Sequence, residues 1–330
     1  MNPKNELMTF LKKAYTYLAY YGIAKFCYYL PRLMFFYFRR ASRQGDCLIR
    51  TINHKYKMYI NLKQRGISGT LYFHGTRERD QVHVVRSVLK PGMRVMDIGA
   101  NIGYYTLMEA DLVGKSGKVY AFEPDQSNFN LLKKNIELNN YLDRVELCPR
   151  GVSDSDGERD FFISPESNLH TFNPTNYGFK KPDSIFLAKT RIDVIDISRF
   201  LKQKGPIDFI RMDVEGHEVE ILNGIFKGLD DIGYAPSVLL ETHFSKYDDN
   251  LHDMRTVLSN IFAKGYHIGM LISNNEPNLR IRGIGYKPDI VFKTDRMYRG
   301  IYHNVKKEHA LGWICEAKGI RALYLKHTEN

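Results

Sequence analysis

The sequence is poor in cysteine and tryptophan, and it contains no internal repeat or low-complexity tract. Its four cysteines include no C-x-x-C pair, so we expect reduced, ordinary residues of a cytoplasmic protein. It also lacks a run of about 20 apolar residues, which a membrane-spanning helix needs. The 330 residues are 43% apolar, which is enough for one large α/β domain with additions rather than two full domains.

Acidic residues are nearly absent between Leu7 and Arg43, where tyrosine, phenylalanine, lysine and arginine crowd together. Lys25, Pro31 and Arg32 interrupt every apolar run, and no A-x-A-like site marks a signal peptide. One interpretation is a pair of amphipathic helices lying among anionic lipid headgroups. The other is a pair packed on the domain surface. We favour the membrane because of the charge bias, which predicts a cytoplasmic protein peripheral on the inner membrane face.

The centre of the chain is RVMDIGANIGYYT, residues 94–106. A buried strand ends at Asp97, a turn follows with Gly99, Asn101 and Gly103, and a helix can continue from Tyr104. A dinucleotide fingerprint is G-x-G-x-x-G, with a glycine where this chain has Asn101. A pyrophosphate disfavours a carboxylate beside it, whereas the cationic sulfonium and ammonium groups of S-adenosylmethionine suit Asp97.

A second acidic residue ends the next predicted strand. Lys118–Phe122 (KVYAF) is short and apolar, and Glu123 follows it. This position is about 20 residues beyond the glycine turn, where such folds place the carboxylate that binds ribose hydroxyls. The strand, turn, helix, strand and Glu123 together predict an S-adenosylmethionine site.

Three segments are predicted along the chain: residues 1–45 as a basic aromatic helical segment, 46–90 as a small β/α cap, and 91–330 as the catalytic domain. The cap should contain short strands, one of them Thr70–Phe73, and a helix over Thr76–Leu89.

Within the catalytic domain, an edge strand is predicted over Arg159–Ile163. The polar stretch Ser164–Lys189 is interpreted as a substrate lid, although a tolerated insertion is the alternative. Further elements predicted in the catalytic domain are a helix over 125–139, strands at 145–148, 206–213 and 237–240, and a helix after His217 that stops at Gly224.

Parallel strands place their carboxyl ends at one edge of the sheet, where the ligand crevice lies. Asp97 and Asp213 end strands that should flank this crevice, with Glu241 and His243 one strand further out. The Arg150–Asp154 loop is expected at the edge where the adenine lies.

The motifs DIGANIGYYT, AFEPD and IDFIRMDVEGHEVEILNG, with GISGTLYFHGTRERD before them, resemble the FkbM family of S-adenosylmethionine-dependent methyltransferases. The resemblance covers roughly residues 56 to 290. It implies a class I methyltransferase fold, which is Rossmann-like and α/β, with a doubly wound, mostly parallel sheet, here joined to the N-terminal helical segment and small β cap. It also implies O-methylation, often of sugars. The cofactor-binding residues that it implies are Asp97, Gly99, Asn101, Gly103, Glu123 and Asp213. His217 stands where members usually carry a small residue, so no role is implied for it.

Methyl transfer to a hydroxyl needs alignment of the reacting atoms and a base for the proton. His243 is our first candidate for the base, because imidazole needs the smallest pKa adjustment. Asp213 and Glu215 are the other catalytic candidates. A metal site could use Asp213, Glu215, His217, Glu241 and His243. We rank it below a metal-free site, because Gly216 should send these side chains in different directions.

We therefore expect an S-adenosylmethionine-dependent O-methyltransferase that acts on a sugar of a cell-surface glycan or lipid-linked saccharide. Alternatives are RNA or a secondary metabolite as acceptor, a non-catalytic binding module, and a nicotinamide oxidoreductase. Nucleic acid is not expected, because no RNA-binding signature occurs. Asn101 argues against the oxidoreductase, and the acids at Asp97, Glu123 and Asp213 argue against an inactive module.

Overall fold

The computed structural model describes residues 3–41, 47–174, 186–247, 251–276 and 285–328. They form two compact units, Met1–Thr76 and Arg77–Asn330. The predicted division into 1–45, 46–90 and 91–330 stays a prediction.

The first unit contains two helices and a β-hairpin: α1 (Pro3–Ala41), β1 (Cys47–Ile52), β2 (Tyr56–Asn61) and α2 (Ile67–His74). The long helix α1 is broken at Gly22, whose φ of 75° and ψ of 170° are not helical. β1 and β2 pair antiparallel. No helix in the described ranges combines the length and the apolar run that crossing a bilayer requires.

The predicted strand Thr70–Phe73 is wrong, because these residues lie in α2. Leu71, Tyr72 and Phe73 are all buried, and the Phe36 ring of α1 lies 5.3 Å from Tyr72 and 5.2 Å from Phe73. A short apolar run buried on several sides has no clear period, so it fits a strand or a buried helix equally well.

The second unit contains the remaining elements. In chain order they are α3 (Arg79–Val88), β3 (Arg94–Ile98), α4 (Tyr104–Val113), β4 (Lys118–Phe122), α5 (Gln126–Leu138), β5 (Val145–Cys148), β6 (Gly151–Ser153), β7 (Gly157–Ile163), β8 (Ala188–Asp196), α6 (Ile197–Lys204), β9 (Phe209–Met212), α7 (Glu218–Ile232), β10 (Ser237–Glu241), α8 (Met254–Ala263), β11 (Tyr266–Ser273), β12 (Ile290–Thr294), β13 (Met297–Tyr302), α9 (Lys307–Leu311) and β14 (Ile320–His327).

Nine of these strands form one sheet in the order β12-β13-β11-β14-β10-β9-β3-β4-β5. The run from β10 to β5 is parallel, and the strands from β14 to β12 are antiparallel. Helix α4 packs on β3 and β4, and α8 packs on β11. The expected Rossmann-like α/β fold is confirmed, and β3 and β9 are neighbours as predicted. The predicted edge strand lies within β7, at the edge of a separate sheet of order β6-β8-β7.

The predicted stop of α7 at Gly224 is wrong. The helix continues to Ile232 and ends at Gly233, whose φ is 69°. Gly224 instead allows close packing against α6, because a Cβ there would lie 2.6 Å from Cγ2 of Ile197. A glycine inside a helix can mark a packing contact as well as an end.

Candidate active site

The glycine turn after β3 is held between two neighbouring strands. The backbone N–H groups of Gly99 and Ala100 donate to the Phe122 carbonyl at the end of β4, at 3.0 and 2.9 Å. Gly99 has a φ of 83°, and a Cβ there would lie 2.1 Å from the carbonyl oxygen of Asp213. Only glycine fits this close approach, which brings the turn against the end of β9.

Glu123 lies beside this turn and binds backbone groups with both carboxylate oxygens. Oε2 accepts from Asn101 N at 2.8 Å, and Oε1 accepts from Asp125 N at 2.9 Å. Burial raises the pKa of Glu123 to about 8, against the lowering effect of the Asp125 hydrogen bond. The contact with Asn101, whose φ is 52°, ties Glu123 to the conformation of the turn.

A cleft opens above the turn. Four predicted cofactor residues line it: Gly99, Asn101, Glu123 and Asp213. The loop predicted to border the adenine contributes Arg150, Gly151 and Val152.

The structure places Asp97 and Gly103 outside the lining of this cleft. The Asp97 side chain is fully buried, where it accepts from Thr106 Oγ1 at 2.6 Å and pairs with Arg211 at 3.2 Å. Burial raises its pKa, and Arg211 lowers it. The acid predicted to face the ligand's cation is therefore engaged by Arg211, an internal cation.

The walls of the cleft fit an adenine nucleoside. Phe161 and Phe172, with ring centroids 5.0 Å apart, give it an aromatic wall. The Oδ1 atoms of Asn128 and Asn168 are buried without a hydrogen-bond partner in the described part of the chain. Buried acceptors of this kind need donors, which an adenine amino group or a ribose hydroxyl can supply.

Residues 164–174, here called the strap, connect this cleft to the end of β9. The Ser167 carbonyl accepts from Asn101 Nδ2 at 3.0 Å and from Asn128 Nδ2 at 2.8 Å. Thr171 Oγ1 donates to the Glu215 carbonyl at 2.7 Å. The strap is the first part of the predicted lid. Residues 175–185 of that lid lie outside the described residues, so the lid stays a prediction.

Acidic side chains converge on His243 beside the cleft. His243 Nδ1 lies 2.7 Å from Glu218 Oε1. Nε2 of the same ring lies 3.7 Å from Asp213 Oδ1, 3.6 Å from Glu215 Oε2 and 3.6 Å from Glu241 Oε1. These five residues are called the His243 cluster below. Asp213 and Glu215 also line the cofactor cleft, so the cluster borders it.

Basic residues balance part of this acidity. Arg211 binds Asp213 Oδ2 at 3.2 Å, Lys246 pairs with Glu215, and Arg321 lies 2.7 Å from Glu241 Oε1. Burial raises the pKa of Glu241 to about 7, while Arg321 lowers it. Burial alone would lower the pKa of His243, but Glu215 and the other acids raise it to about 10. The imidazole is therefore protonated at neutral pH when no other cation lies in the cluster.

The model of the methyltransferase FkbM domain matches residues 97–268, more than half of the chain. The chain belongs to the FkbM methyltransferase family. "Methyltransferase 1" of Beauveria bassiana is 25% identical over 189 residues, which cover 53% of this chain and 73% of that protein. The 31-O-demethyl-FK506 methyltransferase of Streptomyces tacrolimicus is 30% identical over 161 residues, 42% of this chain and 61% of that protein. The hexuronic acid methyltransferase of Haloferax volcanii is 25% identical over 166 residues, 50% of this chain and 62% of that protein.

As an FkbM methyltransferase, the chain uses S-adenosylmethionine as its methyl donor, which confirms the cofactor predicted from the strand ends. Glu123, predicted to bind the ribose, lines the same cleft as the asparagine oxygens and the aromatic wall.

His217 does not join the cluster of this FkbM methyltransferase. It is 2% exposed, its Nε2 lies 3.0 Å from Ser153 Oγ, and its Nδ1 lies 3.4 Å from Glu220. Gly216, with a φ of 106°, turns the chain between Glu215 and His217. The expectation that this glycine separates the side chains is right for His217 but wrong for Asp213 and Glu215, which both face His243.

Sequence reasoning missed Arg211, Glu218 and Arg321. The sequence does contain a feature that indicates Arg211. It is a charged residue inside the apolar strand β9, and a buried charged residue needs a partner. Its guanidinium also lies 3.7 Å from the centre of the Tyr105 ring. No sequence feature indicates Arg321, because it lies on β14, far from every motif. It meets Glu241 only because β14 pairs with β10 in the sheet.

Proposed function

We propose that this FkbM methyltransferase transfers a methyl group to a hydroxyl of a saccharide, in a cell-surface glycan or on a lipid carrier. The observation that carries the proposal is the position of Asp213 and Glu215, which line the cofactor cleft and also belong to the His243 cluster. A hydroxyl acceptor must lose a proton, and proton acceptors stand here at the border of the methyl donor's site.

Each part of the site has a separate task in this proposal. S-adenosylmethionine supplies a methyl carbon that its sulfonium has already activated. The cleft holds this cofactor through Glu123, Asn128 and Asn168. The acceptor hydroxyl lies at the His243 cluster, and its proton passes to a carboxylate there, for which Glu215 is our choice. When no other cation lies in the cluster, the acids raise the pKa of His243 to about 10, so we assign it the positioning of these carboxylates and not the role of the base.

Two of the relatives support a hydroxyl-bearing acceptor. One is named for the methylation of a hexuronic acid and another for a 31-O-demethyl compound. The buried and paired acids of the cluster also disfavour an RNA acceptor, because phosphate groups repel carboxylates.

An anionic membrane surface is the second proposed partner. Large apolar side chains stand exposed along α1, among them Tyr15 and Ile23 at 73% and Phe38 at 70%. The exposed Lys12 and Lys13 lie on the same helix. Aromatic and basic residues together suit the headgroup region, where the rings insert and the cations meet lipid phosphates. A lipid-linked acceptor would then be presented at that surface.

The test is methyl transfer from radiolabelled S-adenosylmethionine to separate fractions of glycolipid, free saccharide and RNA. We expect label in the glycolipid or saccharide fraction, and we expect Glu215→Gln to lower turnover by roughly 10²-fold to 10⁴-fold. His303→Ala is the matched control, because His303 also pairs with a carboxylate, Asp289 at 2.8 Å, outside the cluster. Label in RNA alone, or full activity of Glu215→Gln, would overturn the proposal.

A further inference from the structure

Three atoms of the His243 cluster form a set of metal ligands. They are Oδ1 of Asp213, Oε1 of Glu241 and Nε2 of His243, which come from the ends of two neighbouring strands. All three residues offer ligand atoms that lie within 4.8 Å of one another. All three are among the possible metal ligands named from the sequence, where a metal site is ranked below a metal-free one.

The separations in this set are too long for hydrogen bonds. Nε2 lies 3.7 Å from the Asp213 oxygen and 3.6 Å from the Glu241 oxygen, and a contact of that length is not a hydrogen bond. Ligands about 2.1 Å from one ion stand roughly 3.0 Å apart at right angles and roughly 4.2 Å apart on opposite sides. The two separations from Nε2 fall between these limits, and the ligand atoms of all three residues lie within 4.8 Å of one another, which suits a shared small cation.

Each ligand is also held by a second partner. Glu218 accepts from His243 Nδ1, so that Nε2 faces the carboxylates. Arg211 holds Asp213 through Oδ2, the other oxygen. Gln81 Nε2 donates to Glu241 Oε2 at 2.7 Å, and Arg321 lies 2.7 Å from Oε1, the ligand oxygen itself. Metal sites are built in this way, with outer contacts that fix the orientation of each ligand and the tautomer of a histidine.

We propose that Asp213, Glu241 and His243 bind one divalent cation of the manganese and magnesium class. Two carboxylate oxygens favour a hard cation, and the imidazole favours manganese over magnesium or calcium. In this site His243 Nε2 is a neutral ligand rather than a protonated group.

The cation would also bind the acceptor, and this step of the inference rests on the proposed function. Three protein ligands leave positions open for oxygens of the acceptor. A hydroxyl on the cation loses its proton more easily, and Glu215, which is outside the ligand set, is the carboxylate placed to take it. An acceptor with two neighbouring hydroxyls would bind best, because it can occupy two open positions.

The test is a titration of the chelator-treated full chain with Mn²⁺ alone, followed by electron paramagnetic resonance. We expect one saturable site per chain, with a nitrogen coupling in the pulsed spectrum from the bound imidazole. His243→Ala should abolish this coupling, and Glu241→Gln should weaken binding by at least roughly tenfold. His303→Ala should keep both the affinity and the coupling, and thermal unfolding checks that each variant is folded.

Absence of binding by the wild-type chain up to about 1 mM Mn²⁺ would overturn the inference, as would binding that is unchanged in Glu241→Gln and shows no nitrogen coupling. The readout needs no acceptor. A chain that binds Mn²⁺ but methylates no saccharide would therefore refute the proposed function and leave the cation site standing.

Discussion

At the scale of single residues, Glu123 is the group that we propose binds the ribose in the cofactor cleft. Backbone N–H groups already hold both oxygens of its carboxyl group, so substitution affects the glycine turn and the ribose site together. We expect Glu123→Ala to weaken S-adenosylmethionine binding by roughly 3-fold to 10-fold, since a hydrogen bond to a neutral group contributes about 0.5–1.5 kcal/mol. Calorimetry measures this, with NAD as the comparison ligand. Unchanged affinity in the variant, or tight NAD binding by the wild type, would contradict the assignment.

Glu109 is a second residue with a measurable effect, here on stability. Its side chain is fully buried in α4, and neither carboxyl oxygen has a hydrogen-bond partner in the described residues. Burial raises its pKa well above the ordinary value, and Asp97 raises it further. Because the folded pKa lies above the unfolded one, stability is fully present below the unfolded pKa and is lost as pH rises towards the folded pKa.

We therefore expect the melting temperature of the wild type to fall as the pH rises from about 5 to about 8, and to fall less in Glu109→Gln. Calorimetric scans at matched ionic strength measure the two slopes. Glu137→Gln is the control, since it changes the same residue type at an exposed position of α5. Equal slopes for wild type and Glu109→Gln would show that another group causes the pH dependence.

At the scale of elements, the strap connects the cofactor cleft to the turn after β9. Its start accepts hydrogen bonds from Asn101 and Asn128, and its end donates to the turn after β9 through Thr171 and Asn173. Substitution at the two ends should therefore have different effects. Thr171→Val should lower turnover by roughly 3-fold to 10-fold, as expected for one hydrogen bond, and leave S-adenosylmethionine affinity within about twofold.

Asn128→Ala should show the reverse pattern, with weaker cofactor binding and a smaller change in turnover at saturation. Single-turnover kinetics and calorimetry separate the two quantities. If both variants changed the same quantity, the strap would act as one unit and not as a connection between two sites.

The predictable elements were those with a local signal. The bounds of β4 and β5 agree with the prediction, because each is a short apolar run between turn residues. The strands from β11 to β14 were not assigned, since their neighbours are set by long-range pairing and not by local sequence. In the site, the glycine turn and Glu123 could be predicted from spacing. The contacts of Asp97 with Arg211 and of His243 with Glu218 could not, because they depend on side chains that meet across strands.

At the scale of the whole molecule, the net charge of +11 and the exposed apolar residues of α1 predict binding to anionic vesicles. Binding should weaken between about 0.1 M and 1 M salt, because the Debye length falls from about 10 Å to about 3 Å. Substitution of Tyr15, Ile23 and Phe38 by serine should remove the fraction of vesicle binding that remains at high salt. Co-sedimentation with phosphatidylserine vesicles measures both effects.

The matched control for this experiment replaces Leu142, Leu187 and Leu251 by serine. These side chains of the second unit are also exposed, so a loss of binding in both triple variants would reflect general hydrophobicity. A wild-type chain that stays in the supernatant at low salt would refute the membrane proposal.

The position of β14 has a consequence for biosynthesis. This strand is the last one described in the chain, yet it pairs with β10 on one side and with β11 on the other, in the middle of the sheet. Residues 320–327 follow every other described strand in the sequence, so during synthesis β10 and β11 each have one unpaired edge until that segment emerges. Arg321 arrives with it and neutralises Glu241. The nascent chain therefore completes the pairing of β10 and β11 and gains the ion pair of Arg321 with Glu241 in the same late step, and until then a strand edge is open to a chaperone.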